Sequence, residues 1–178
     1  MKQFFILIVL TAFSYYPLPA QERYELQLPD DHSRLWANPV WKGKQDTIRW
    51  EQTFREGGFF WRDSRYKVSF SDGESLLFHC PRGQGCRVMD LDSVQLVERT
   101  ERHYVLKDGT LLRLKFNLNN TRIRVFSPNR RLIAEARTRH RIFRFKHELY
   151  IELYEDVTFR KELLVQLSRD MVNRARRR

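Results

Sequence analysis

The sequence has few of the residues that mark specialised protein classes, with two Cys, seven Gly and six Pro in 178 residues. That content excludes a collagen and a disulfide-dense small domain. The longest apolar run, Phe4 to Phe13, is only about half of the roughly 20 residues that a bilayer span requires. A hydrophobic fraction of 42% excludes a disordered chain, so the sequence predicts one domain with its own core.

Motifs for catalysis are also missing. The chain has no Gly-x-Ser-x-Gly, no His-Glu-x-x-His and no glycine loop that could hold a phosphate. Its five histidines, at positions 32, 79, 103, 140 and 147, lack metal-ligand spacing. The sequence therefore predicts no metal and no cofactor, and it favours a non-enzymatic protein. The pair Asp90 and Asp92 leaves a hydrolase as a remote alternative, although two acids where a strand ends are commoner in turns.

The N-terminus has the pattern of a secretory signal peptide. Lys2 precedes the apolar run, and a looser segment with Pro19 follows it up to Ala20. We predict export to a periplasm or the exterior with cleavage after Ala20, so that residues 1–20 are the signal peptide. Retention of the segment as an uncleaved anchor is the alternative.

Positive charge is concentrated in the last third of the chain. The whole sequence has 33 Lys and Arg against 22 Asp and Glu, a formal net charge of +11, and residues 121–178 account for +9 of it. Such a field attracts anionic partners, namely lipid headgroups, acidic glycans or acidic proteins. Nucleic acid is not expected as a partner of an exported protein.

The two cysteines, Cys80 and Cys86, flank a short insert of turn-forming residues. In an oxidising compartment we expect them to pair with each other and fix a hairpin tip. The glycines of the insert offer a second interpretation, a cluster of backbone N–H groups that binds an anion.

Aromatic residues are dense in the segment 21–65, which we expect to pack on the sheet. All four tryptophans fall there, and core packing is favoured over a stacking surface. The stretch from Arg49 to Phe54 and the stretch from Phe59 to Trp61 read as two strands around Gly57 and Gly58.

From residue 66 onward, short alternating strands are separated by tight turns such as Asp72-Gly73 and Asp108-Gly109. This pattern predicts a single-domain, mainly β protein. The strands form an antiparallel meander, either a curled sheet or a small barrel, over 66–178. Its last hairpin is expected to pair the segment 142–146 with 149–153.

Alternation along these strands predicts an apolar face and a cationic face. The apolar face includes Leu112, Leu114, Ile123 and Val125. The cationic candidates for binding an anionic partner are Arg113, Lys115, Arg122, Arg124, Arg137, Arg144 and Lys146. An ordinary solvated outer face is the competing interpretation.

The chain ends in a predicted amphipathic helix over 157–173, followed by an Arg-rich tail. Apolar residues from Phe159 to Met171 fall on one stripe, and charged residues including Arg169 and Asp170 cover most of the remainder. The stripe is expected to dock on the sheet or over a barrel mouth. The tail contributes four more anion-binding candidates: Arg174, Arg176, Arg177 and Arg178.

Hairpins with Asp-Gly turns that end in a C-terminal helix resemble those of tubby-like domains, in which a sheet closes around an apolar helix. The helix here is amphipathic, which predicts against a position at the centre of a barrel, so we do not assign the chain to that family.

These observations predict an exported, non-enzymatic binding or envelope-associated module. Its cationic face and tail would contact an anionic partner, and peripheral membrane contact is one form of this function. The alternative is a small β carrier that holds an apolar ligand in its interior. Sequence patterns do not define an oligomeric state.

Overall fold

The computed structural model describes residues 20–27, 38–44, 46–56, 63–81, 84–119, 121–141 and 146–176. These residues form twelve β strands and one helix. In chain order the strands are β1 (Glu22–Gln27), β2 (Val40–Lys42), β3 (Thr47–Glu56), β4 (Asp63–Phe70), β5 (Ser75–Cys80), β6 (Arg87–Met89), β7 (Gln95–Arg99), β8 (His103–Leu106), β9 (Leu111–Phe116), β10 (Arg122–Phe126), β11 (Leu132–Arg141) and β12 (Lys146–Leu153). The helix is α1 (Arg160–Arg176).

The sheet is a closed antiparallel barrel in which each strand pairs with the strands before and after it in the chain. Closure comes from the first and last strands, with Glu22 opposite Leu153 and Tyr24 opposite Ile151. In the described residues the ring is closed, so no strand is a free edge of the sheet along its whole length. The predicted mainly β meander is therefore confirmed, in its barrel form.

The inward faces of the strands follow the period-two alternation of the sequence. On β9, Leu112 and Leu114 are buried, whereas Arg113 and Lys115 are exposed. The predicted Asp-Gly turns are present as well: Gly73 and Gly109 have φ values of 91° and 83°, a conformation that glycine adopts without steric cost.

The aromatic N-terminal segment is part of the barrel wall, whereas the sequence suggested a segment packed on the sheet. It supplies β1, β2 and β3, and the side chains of Trp41 and Trp50 are buried in the core. Trp36, Trp61 and the predicted turn at Gly57 and Gly58 lie outside the described residues.

The predicted pairing of the last hairpin was wrong. Strand β12 begins at Lys146, and its partner is β11, with Ala136 opposite Ile151 and Thr138 opposite Leu149. Residues 142–145, which include Arg144, lie outside the described residues.

Helix α1 lies at the centre of the barrel, and this overturns the expected docking on the sheet or over a barrel mouth. It contacts β6 and β7 on one side of the ring and β11 and β12 on the other. Every residue from 163 to 172 is buried, so the helix has no solvent-exposed face over about three turns. The amphipathic pattern, which argued against a central helix, comes in part from Arg169 and Asp170, which have hydrogen-bond partners inside the barrel.

Two features of the wall accommodate the helix. Ala134 and Ala136 face inward from β11 and are fully buried, so the backbone of the helix can approach this strand closely. Two polar residues of the helix, Arg169 and Asp170, have partners on the wall, as in the hydrogen bond from Arg169 Nη2 to the Tyr66 hydroxyl (2.5 Å). A paired polar group avoids the cost of burial without a hydrogen bond.

The meander defines two ends of the barrel. We call the end with turns 43–46, 71–74, 90–94, 107–110 and 127–131 the entry end, because the chain passes from β12 into α1 there. We call the other end the exit end. It carries the disulfide loop 80–86, the turns 100–102 and 117–121, and the C-terminus of α1.

Candidate cationic binding site

Five of the predicted cationic residues lie together on the outer face of three adjacent strands. Arg113 and Lys115 are on β9, Arg122 and Arg124 on β10, and Arg137 on β11. We call these five residues the cationic patch. The pairing register brings them into direct contact range, because Arg124 is opposite Lys115 and Arg122 is opposite Arg137. Like charges on opposite residues of neighbouring strands destabilise a sheet. We therefore expect nearby carboxylates to offset the repulsion between these cations.

The first such carboxylate is Glu135 on β11. Its two oxygens accept hydrogen bonds from Arg122 Nε (2.7 Å) and Arg124 Nε (2.9 Å). The side chain of Glu135 is only 3% exposed, whereas the two arginines are 37% and 42% exposed. One carboxylate thus holds two guanidinium groups in fixed positions at the surface, and each keeps further N–H donors for another acceptor.

Glu152 on β12 is the second carboxylate. It accepts a hydrogen bond from Arg137 Nη2 (2.8 Å) and one from the Tyr154 hydroxyl (3.2 Å). Burial, together with the negative charges of Glu135 and Glu152, raises the pKa of Tyr154 to about 12. Tyr154 therefore stays a neutral hydrogen-bond donor between the two carboxylates over the physiological pH range.

Arg113 and Lys115 differ from the other patch residues. Both are exposed, and their charged groups lie over the ring of Phe126, at 5.7 and 5.2 Å from its centroid. Within the described part of the chain, neither belongs to an ion pair. Five cations and two carboxylates leave a net formal charge of +3, and its most exposed part is the pair on β9.

The C-terminus of α1 adds positive charge at the exit end. The guanidinium of Arg174 lies 4.1 Å from the ring centroid of Phe116, the last residue of β9. The helix therefore ends beside the strand that carries Lys115. Arg176 is the last helical residue, and Arg177 and Arg178 lie outside the described residues. Lys146 is the first residue of β12, opposite Arg141 at the exit end of the hairpin.

The entry end has the opposite sign. Its turns and the link from β12 to α1 carry eight described carboxylates against four cations. The carboxylates are Asp46, Asp72, Glu74, Asp90, Asp92, Asp108, Glu155 and Asp156. Their charge complements the positive N-terminal end of the helix dipole, and Lys161 of the first turn hydrogen-bonds Asp72 and Glu74 directly. Among the described residues, the entry end therefore has a net negative charge.

A second polar cluster is buried inside the barrel. Asp170 Oδ2 of α1 accepts hydrogen bonds from Arg99 Nε on β7 (2.6 Å) and from the Tyr104 hydroxyl on β8 (2.9 Å). Burial raises the pKa of Asp170, and the charge of Arg99 opposes that shift. Burial and the charge of Asp170 raise the pKa of Tyr104 well above its usual value. The cluster connects the helix to the wall.

The interior is thus occupied by protein. The helix fills the lumen, and the inward side chains form one continuous core with it, which counts against an apolar ligand held inside the barrel. An open cleft of about 260 Å³ lies at the entry end, but it is lined by polar and charged groups such as Glu22, Asp156 and Arg160.

Turns and packing account for the residues that the sequence left open for catalysis or for anion binding in the disulfide loop. Asp90 caps the β6–β7 turn by accepting a hydrogen bond from the backbone N–H of Val94 (2.8 Å), and Asp92 is exposed in the same turn. Cys80 and Cys86 form the predicted disulfide. Gly85 next to it approaches the backbone so closely that a Cβ would collide with the carbonyl oxygen of Arg99. Packing therefore accounts for this glycine without an anion.

Sequence reasoning missed Glu135, Arg99 and Tyr104. The signal for Glu135 was available, since it is the one acidic residue in the stretch from Arg122 to Arg144 and lies at an outward position between two inward alanines. Arg99 carried no comparable signal, because its partner Asp170 is 71 residues away.

The fold and the site define a closed twelve-strand barrel around a central helix, with one cationic side and end. Comparison with protein-family models, with curated proteins and with solved structures finds no match for this chain. Within the described ranges, no helix is both long and apolar enough to cross a membrane.

Proposed function

We propose that this protein is an exported, non-enzymatic binding module whose cationic patch recognises an anionic partner. The observation that carries the proposal is the pair Arg113 and Lys115. Both are exposed on β9, their charged groups lie over the ring of Phe126, and within the described ranges neither forms an ion pair; three further cations lie beside them. A binding surface needs charge that is not already neutralised within the protein, and this pair supplies it.

The rest of the patch supports the proposal through rigidity. Arg122 and Arg124 are held by Glu135, and Arg137 by Glu152. An arginine that is already ordered loses less side-chain entropy on binding, so its remaining donors are better placed for phosphate, sulfate or carboxylate oxygens. The Cys80–Cys86 disulfide is compatible with an oxidising compartment outside the cytoplasm.

The test compares two charge-neutralised variants of equal net charge. Arg113→Gln/Lys115→Gln removes the exposed pair, whereas Lys44→Gln/Lys107→Gln removes two exposed cations at the entry end. Binding is measured across a salt series to phosphatidylglycerol vesicles and to a sulfated polysaccharide resin. Each cation near an anionic surface contributes about 1 kcal/mol, so the first variant should lose about 30-fold in affinity for the probe that binds.

The control variant should bind nearly as the parent protein does, and binding should weaken as salt increases. Equal losses in the two variants would show that only net charge matters. That result, or binding that does not depend on salt, would contradict recognition by the cationic patch.

A further inference from the structure

We infer that the exit end of the barrel docks on an anionic lipid bilayer and that Leu118 inserts into it. This inference rests on the proposed function and names its partner. Leu118 is at the tip of the β9–β10 turn, and its side chain is fully exposed, with a relative accessibility of 102%. A single exposed Leu is common on protein surfaces, so its exposure alone carries no argument. The argument rests on the position of Leu118 in the barrel and on the residues near it.

The base of the turn that carries Leu118 is closed by hydrogen bonds of the Asn117 side chain. Asn117 Nδ2 donates to Thr121 Oγ1 (2.7 Å), and Asn117 Oδ1 accepts from the backbone N–H of Arg122 (2.9 Å). These hydrogen bonds close the turn below its tip. Leu118 is therefore presented outward, with no core contact to hold it back. An apolar tip on a turn that is held at its base loses less entropy when it enters a lipid layer.

Cations surround the base of this tip. Lys115 precedes Leu118 by three residues on β9, and Arg122 begins β10 on the other side of the turn. Arg174 of the helix contacts Phe116, the strand residue next to the turn. An exposed apolar residue with cations on the neighbouring strands and helix matches the layered chemistry of an anionic bilayer, with headgroup phosphates above hydrocarbon.

Four other large apolar residues are exposed in the described ranges: Phe54 lies toward the exit end, and Leu91, Val94 and Leu111 lie at the entry end. Phe54, near the exit-end half of β3, is 40% exposed and has the guanidinium of Arg65 over its ring (5.3 Å). Leu91 is 61% exposed at the entry end, but it lies between Asp90 and Asp92. Anionic headgroups would repel the carboxylates of that end, so of the two ends, as described, the exit end is the one that suits an anionic membrane.

A bilayer explains these features better than an acidic glycan. A glycan chain requires cations and hydrogen-bond donors, and a protruding leucine contributes to neither. Hydrocarbon, in contrast, stabilises an inserted apolar side chain in proportion to its buried area. Leu118→Ser should therefore lower the affinity for anionic vesicles about tenfold, whereas Leu91→Ser should leave it unchanged.

The two cysteines of the chain are joined in a disulfide, which allows a site-specific test. Leu118→Cys and, as a control, Leu91→Cys each introduce one free thiol for an environment-sensitive fluorophore. Labelled full-length protein is mixed with phosphatidylcholine vesicles with and without phosphatidylglycerol. We expect a blue shift and a rise in intensity at position 118 with anionic vesicles only, and no change at position 91.

Two results would overturn the inference and leave the proposed function standing. One is vesicle binding during which the label at 118 stays in water. The other is binding to a sulfated polysaccharide without binding to vesicles. If the label inserts but Arg113→Gln/Lys115→Gln binds vesicles as tightly as the parent protein, the proposed role of the cationic patch fails instead.

Discussion

Arg99 Nε on strand β7 lies 2.6 Å from Asp170 Oδ2 on the central helix. The pair joins residues 71 positions apart and connects the helix to the barrel wall. Asp170 is almost fully buried, whereas the side chain of Arg99 is 28% exposed. Since the cost of the buried carboxylate must be offset locally, the barrel depends on this contact for a specific helix register.

Removal of either partner should therefore destabilise the fold. We expect Asp170→Ala to lower the free energy of unfolding by about 3 kcal/mol, because it leaves a largely buried guanidinium without its counter-ion. Arg99→Ala should cost less, since Tyr104 still donates to Asp170. Urea denaturation of both single variants and the double variant measures the coupling. Additive effects would contradict a direct interaction.

The same carboxyl predicts a pH dependence. Burial raises the pKa of Asp170 above its ordinary value of 3.8, so the folded protein keeps this proton to higher pH than the unfolded chain. The stability that Asp170 contributes is complete below 3.8 and is lost as the pH rises through the folded-state pKa. Asp170→Asn cannot titrate there. We therefore expect the difference in unfolding free energy, parent protein minus Asp170→Asn, to fall from acidic to neutral pH. A difference that rises with pH would contradict a raised pKa for Asp170.

The interior position of the helix could not be predicted from the sequence. Alternation along a strand is local, so Leu112, Leu114, Ile123 and Val125 were placed correctly on the inward face. A charged helix face, in contrast, looks the same whether water or a buried partner satisfies it. The partners of Asp170 become visible only when the barrel closes.

For the outer surface, too, the sequence predicted only part of the arrangement. Sequence alternation placed Arg122 and Arg124 outward, but it did not reveal that Glu135 binds both of them. That relationship depends on the register of β10 against β11, where Arg124 is opposite Glu135. Register across a turn with a bulge next to Phe126 is set by backbone geometry that local patterns do not specify.

Glu135 should have opposite effects on stability and binding. Glu135→Gln removes the carboxylate that holds Arg122 and Arg124, and because both arginines remain partly exposed we expect a loss of only about 1–2 kcal/mol. The patch gains one positive charge, and we expect this gain to outweigh the lost ordering of Arg122 and Arg124, so affinity for the anionic probe should rise several-fold. Glu155→Gln at the entry end is the matched control. Affinity that falls along with stability would contradict the separation of these roles.

Gly85 is expected to serve packing alone. Gly85→Ala places a Cβ against the carbonyl oxygen of Arg99 and should destabilise the protein by about 1–3 kcal/mol in thermal or urea unfolding. Gln84→Ala, in the same loop, should change stability by no more than about 0.5 kcal/mol. Affinity for the anionic probe should be unchanged in both variants. Weaker binding by Gly85→Ala at full stability would revive an anion site in this loop.

The most direct test of the proposed function is to map where an anionic ligand contacts the barrel. Backbone amide shifts of isotope-labelled protein are followed by NMR during titration with phosphatidylglycerol nanodiscs and with a short sulfated oligosaccharide. We predict that the largest perturbations fall on β9, β10 and β11 and on the turn 117–121. The acidic turns 71–74 and 90–94 should stay unchanged. Perturbations centred on those acidic turns, or spread evenly over the surface, would contradict the account.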